Sequence, residues 1–229
     1  MIAIYVVTIL LGGLVGLLME KIAIYMINQR VSQPIVHGFS GSNRITIAWV
    51  VINALNWFLI MLIGGLNAKT IECILILSAC IIISVVDITI RKIPNEMLLF
   101  TLIIGIIFVF VNNQVSSINL NIIGFIVGFI LFFLPAMIGK GAGWGDVKYA
   151  AVVGFCLGIY NFLTAVIIMT LILLVYTAYI MITGKGNLKT KIALGPFLAS
   201  AFVIVLVLNI INSKWMFFNL GVLLNQVVG

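Results

Sequence analysis

Charge is what this 229-residue chain has least of: Asp, Glu, Lys and Arg together make up 7% of it, against roughly a quarter in soluble domains. That scarcity excludes a water-soluble globular protein. Its three cysteines, Cys73, Cys80 and Cys156, stand inside apolar runs with no C-x-x-C pair, which argues against a disulfide framework and a thiolate zinc site. They read as small residues packed in the lipid phase, and no metal or other cofactor is expected. The single histidine, His37, reads as a solvated loop residue rather than a base or a ligand. Nothing charged precedes Glu20, so the first apolar stretch lacks the basic start of a cleavable signal peptide and is expected to stay as a span.

What is there in abundance is hydrocarbon, with 64% of the residues hydrophobic. A helix needs about 20 mostly apolar residues to cross a bilayer core of about 30 Å. Apolar stretches run over 1–19, 45–66, 71–90, 96–111, 121–138, 147–160, 162–182 and 196–211. A closed barrel would need alternating polarity, which these continuous Ile, Leu, Val and Phe runs lack, so the reading is an all-α polytopic membrane protein of about eight transmembrane helices. With the N-terminus outside, ten of the twelve cations fall on the inner connections and only Lys69 and Lys214 on the outer ones, as the positive-inside rule requires. The net charge of +7 is therefore a mark of topology, and no nucleic-acid partner is expected.

No repeat or low-complexity linker divides the chain, so residues 1–229 read as one integral domain. Its longest polar stretch belongs to a short cytoplasmic loop, 20–44. The tail after Asn212 is too short to cross and is expected to lie along the outer interface.

Ionisable groups inside spans are costly and invite a functional reading. Glu20, Glu72 and Glu96 stand at span ends with ordinary structural explanations, Glu96 in the first turn after Pro94 and Asn95 where a negative charge suits the helix dipole. Asp87 differs, because it follows sixteen nearly uninterrupted apolar residues from Ile71, about 24 Å of helix, and so reaches the inner membrane edge. Asp146 arrives at the same edge in a stretch with glycines at 139, 141, 143 and 145. Two carboxylates at one depth on different helices suit a shared-proton pair that activates water, one as general base and one as general acid. Tight helix packing explains the glycines equally well, and an ion- or proton-coupled transporter using both acids as a relay is the competing class. Asn53 and Asn56, on the second span, read as polar glue between helices.

Three stretches together carry a resemblance: Asp87-Ile-Thr-Ile-Arg-Lys-Ile-Pro-Asn95, Gly143-Trp-Gly-Asp146-Val-Lys148 and Leu194-Gly-Pro-Phe-Leu-Ala199. In kind, order and spacing they resemble the signature stretches of the prepilin peptidases, the type IV leader peptidase family of membrane aspartic proteases with a Gly-x-Gly-Asp motif. The resemblance covers roughly residues 71 to 200. It implies that Asp87 and Asp146 are the catalytic pair, and that Pro94, Asn95, Gly143, Gly145, Lys148, Gly195 and Pro196 shape the site. It also implies an endopeptidase of the bacterial cytoplasmic membrane that removes the basic leader from pilin-like precursors at the cytoplasmic face, each precursor continuing past the cut as a hydrophobic helix in lipid. Longer relatives also methylate the new N-terminus, and many carry C-x-x-C pairs in an enlarged first loop. Here 20–44 has no cysteine, which places methyl transfer in doubt. A broader intramembrane aspartic protease would use the same pair.

Overall fold

The structure, a computed structural model, describes residues 2–31, 42–112, 114–138, 143–184 and 192–228, with side chains described as far as Ser213. Seven α-helices and one 3-10 turn account for nearly all of it: α1 (Ile2–Asn28), α2 (Asn43–Gly64), α3 (Ala68–Ile90), α4 (Asn95–Val111), the turn Val115–Ser117, α5 (Ile118–Met137), α6 (Trp144–Ile182) and α7 (Gly195–Val228). Among the described residues six helical segments are long and apolar enough to cross a membrane, and α4 is a shorter apolar helix. The chain is an all-helical, multi-pass membrane protein. His37 lies outside the described residues.

Local chemistry sets several helix ends. The Asn67 side chain accepts the Thr70 N–H at 2.9 Å and opens α3, satisfying one of the donors a helix start leaves unpaired. At the other end Arg91 takes a left-handed conformation, φ 52°, and donates its N–H to the Asp87 carbonyl at 2.8 Å. A side chain in that region costs roughly 1–2 kcal/mol, so the stop four residues after Asp87 carries backbone strain. Gly65, at φ 73°, makes the corresponding stop after α2 at ordinary glycine cost.

Helices pack where small residues let backbones approach. A Cβ on Gly124 would run into the Gly154 carbonyl oxygen, and one on Gly128 into that of Ala150, so α5 and α6 touch backbone to backbone. Gly12 and Gly16 bring α1 less tightly against α2, where a Cβ would meet the Ala54 Cα at 3.0 Å and the Trp49 carbonyl oxygen at 2.7 Å. Buried Asn53 donates to the Gly12 carbonyl at 2.7 Å, while Ser78 links it to the Trp57 indole on the α3 side. This bears out the expected gluing role for Asn53; Asn56 is half-buried beside it. The most buried helix, α3, packs on α1, α2, α4 and α7.

Three expectations about helix limits are corrected. First, α1 does not end near residue 19 but runs to Asn28, with Glu20 buried inside it rather than at a span end. The Thr46 hydroxyl donates to its carboxylate at 3.0 Å, so the polar Glu20-Lys21 step interrupts hydropathy without interrupting the helix, and the connection shortens from 20–44 to the residues after Asn28. Second, α7 does not end near 211: it stays helical to Val228, because no proline follows Pro196 to break it. At 1.5 Å per residue its 34 residues span about 51 Å. Third, the break expected at Asn161 falls at Gly158, with φ 70° and ψ 166° inside α6.

That break reverses the chain. Trp144, at the start of α6, meets Phe133 near the end of α5, with ring centroids 5.7 Å apart. Leu157 and Asn161 share a cavity with Lys69 and Glu72 at the start of α3. Yet Tyr176 lies 5.1 Å from Phe197, back at the end where α7 begins against Asp87. Residues 144–157 and 159–182 are therefore antiparallel limbs. A reversal in lipid strands carbonyls that must find donors; Asn121 donates to the Phe155 carbonyl at 2.7 Å and Asn161 to that of Leu157 at 3.2 Å. Gly158→Ala forces a side chain into the left-handed region, and we expect a loss of roughly 1–2 kcal/mol, read as a lower thermal midpoint of the purified protein in detergent. An unchanged midpoint would show that the turn relaxes freely.

Candidate active site

Asp87 stands in the last turn of α3 and is 5% exposed. A carboxylate there opposes the helix dipole, which favours cations at a C-terminus, so helix stability gives no reason for it. Its Oδ2 accepts the backbone N–H of Gly195 at 2.9 Å, a buried contact between residues 108 positions apart. Gly195 has to be glycine for this: a Cβ there would sit 2.7 Å from the same Oδ2 and 3.1 Å from the carboxyl carbon. Pro196 follows as the second residue of α7, where its fixed φ suits a helix start.

Asp146 stands in the first turn of α6, half-buried. Its Oδ2 accepts the Gly143 N–H at 2.8 Å, tying the carboxylate to the residue that opens the helix. This placement does suit the dipole, so Asp146 has a helix-capping role beside any chemical one. Gly145 lies against Ile93, where a Cβ would come within 3.1 Å of the Ile93 Cβ, and so seats the start of α6 on the segment joining α3 to α4. Lys148 donates to the Asn95 side-chain oxygen at 3.2 Å, both groups being exposed. Pro94, buried, precedes α4 as its N-cap.

These residues thus form one cluster at one end of the bundle. Asp87 and Gly195 join α3 to α7, Lys148 and Asn95 join α6 to α4, and the Tyr149–Cys80 contact ties the two acid-bearing helices together near this end. Among the described residues the ion pair is Arg30 with Glu96, and no described cation contacts either aspartate. Two groups with opposite needs result: a buried carboxylate at a helix C-terminus and a more accessible one at a helix N-terminus. Such unequal environments suit one carboxyl holding a proton while the other accepts one.

One contact had no sequence signal. The Tyr149 hydroxyl, fully buried, lies 3.2 Å from the Cys80 sulfur. Tyr149 follows Asp146 by three residues and Cys80 precedes Asp87 by seven, each about one or two turns along its helix, so this contact braces the two acid-bearing helices against each other. The Arg30–Glu96 pair, which ties the end of α1 to the start of α4, was equally unreadable.

The segment holding Asp87, Asn95, Asp146 and Lys148 matches a family model. Residues 74–178 match the model of the Type IV leader peptidase family. The chain is also similar to a protein of Bacillus subtilis (strain 168) named prepilin leader peptidase/N-methyltransferase, 28% identical over 144 residues, covering 61% of this chain and 56% of that one. The chain thus spans a little over half the length of that curated relative. No solved structure matches it.

Proposed function

We propose, from the place of residues 74–178 among the type IV leader peptidases, that this chain is a membrane aspartic endopeptidase that cuts the basic leader from pilin-like precursors. The observation that supports this reading best is the pairing of an Asp in the last turn of α3 with an Asp in the first turn of α6, at one end of the bundle and inside the matched segment. In that reading one carboxylate takes a proton from water as the oxygen attacks the scissile carbonyl. The other, protonated, hydrogen-bonds the developing oxyanion and then supplies the proton that the departing amine needs. Gly195 and Gly143 hold the two carboxylates through their backbone N–H groups, while Lys148 and Asn95 form the exposed rim that a precursor backbone would meet. Methyl transfer, named for the relative, is not carried over.

The same reading puts the aspartates at the cytoplasmic face of the cell membrane, with eight crossings, the N-terminus outside and the precursor's hydrophobic helix entering sideways from lipid. Around the aspartates stand Arg30, Arg91, Lys92 and Lys148, whereas Lys69 stands at the other end, the charge bias expected of an inner and an outer face. Cleavage of a purified pilin-like precursor by the full chain in detergent, mapped by mass spectrometry, tests the activity directly. Orientation is tested separately, in a background with Cys73, Cys80 and Cys156 changed to alanine. Ser42→Cys and Thr183→Cys should label only from the cytoplasmic side, and Gln114→Cys only from outside. Outside labelling at position 183 would remove the eight-crossing topology.

A further inference from the structure

At the end of the bundle away from the aspartates lies a cavity of about 420 Å³, walled by Lys69, Glu72, Gln114, Asn161, Asn209 and Asn212 over a floor of apolar side chains from α6 and α7. The peptidase reading uses none of these groups. Lys69 and Glu72 stand three residues apart on α3, close neighbours on a helix surface, yet they do not form an ion pair with one another. Glu72 is half-buried, and among the described residues its carboxylate accepts a hydrogen bond from the Asn112 side chain at 3.0 Å. Lys69 is exposed at the mouth and Glu72 half-buried below it, and among the described residues neither charge is held in an ion pair, so both are open to a guest that enters the cavity. Carboxamides on the facing walls both donate and accept, so they serve either end of a dipolar guest. The volume is that of a small-ligand site.

We propose that this cavity binds a small zwitterion with a primary ammonium and a phosphate, the chemistry of phosphoethanolamine, its phosphate toward Lys69 and its ammonium toward Glu72. A cation and an anion on one wall complement a guest that carries both charges, which a simple anion or cation matches only by half. At the bundle's polar end the guest is reached from the headgroup layer or from water, so a lipid headgroup and a free compound share the same recognition.

The test uses the full chain in two forms. In detergent, phosphoethanolamine is titrated while thermal unfolding is followed. In nanodiscs of phosphatidylglycerol, the same unfolding is measured with and without phosphatidylethanolamine. A saturable rise in midpoint in either arm is the expected result, the detergent arm marking a soluble ligand and a rise confined to nanodiscs marking a lipid. Glu72→Gln and Lys69→Gln should each weaken the effect about tenfold, the scale of one lost charge-assisted hydrogen bond. The exchange Lys69→Glu with Glu72→Lys should restore much of it, which a merely destabilised fold would not show. No saturable shift in either arm, or equal shifts in wild type and both single variants, would overturn the proposal. Because the readout is unfolding, failure here leaves the peptidase reading untouched.

Discussion

Asp87→Asn and Asp146→Asn are each expected to reduce precursor cleavage by roughly 10²–10⁴-fold or below detection, the range that a positioned general acid or base contributes, while the protein still inserts and purifies as wild type. The reasons differ for the two residues. At position 87 an amide keeps an oxygen to accept the Gly195 N–H, so α3 and α7 stay joined and only proton transfer is lost. At position 146 the amide oxygen can still accept the Gly143 N–H that opens α6, so the capping role survives and any loss of rate belongs to chemistry. Near-wild-type cleavage by either purified variant would remove the aspartic pair. Glu72→Gln serves as the contrast, since Glu72 lines the cavity at the opposite end, and its turnover should remain near that of wild type.

Among the glycines at the site, Gly195→Ala should be the most damaging to cleavage. Its Cβ would meet the Asp87 Oδ2 at 2.7 Å, closer than real side chains approach, so either the carboxylate rotates away or α7 moves. A displacement of about 1 Å at a reacting group costs on the order of 10²-fold in rate, and we expect kcat to fall by that much with KM little changed. The loss of the buried hydrogen bond from the Gly195 N–H adds roughly 1–3 kcal/mol of destabilisation, read as a lower thermal midpoint. Pro196→Ala provides the comparison, because Pro196 contributes a helix start rather than a contact with Asp87, and it should cost stability without a comparable loss of kcat. Full activity in Gly195→Ala would show that the Asp87–Gly195 contact does not position the carboxylate.

Much of this architecture is legible from residue order alone, because the bilayer makes its demands locally. Each span must be apolar and must satisfy its own backbone, so the helical class could be read from continuous Ile, Leu, Val and Phe runs. Asp87 and Asp146 stood out for the same reason, as acids placed where acids are costly, and the motif stretches around them carried the resemblance to the type IV leader peptidases, whose family model residues 74–178 match. Helix limits were less legible where polarity and helicity part company. Glu20 and Lys21 look like a boundary in hydropathy, yet α1 passes through them because Thr46, on another helix, satisfies the buried carboxylate. Hydropathy places the turn near 160 at the polar Asn161, whereas the backbone turns at Gly158, the residue able to take φ 70°.

What only the tertiary structure decided are the contacts between distant positions. Nothing local in Gly195 says that its N–H meets a carboxylate 108 residues earlier, or that Tyr149 will brace Cys80. Nor does anything local say that Lys69 and Glu72 will share a cavity with Asn161 and Asn209. The physical reason is that membrane burial acts on each segment by itself, through hydropathy, whereas pairing between helices depends on where small residues let backbones close and where stranded polar groups find donors. The sequence by itself therefore determined that the chain is a helical membrane protein and which two acids are out of place in it; the packing of α3, α4, α6 and α7 decided which end they share and which backbone groups hold them.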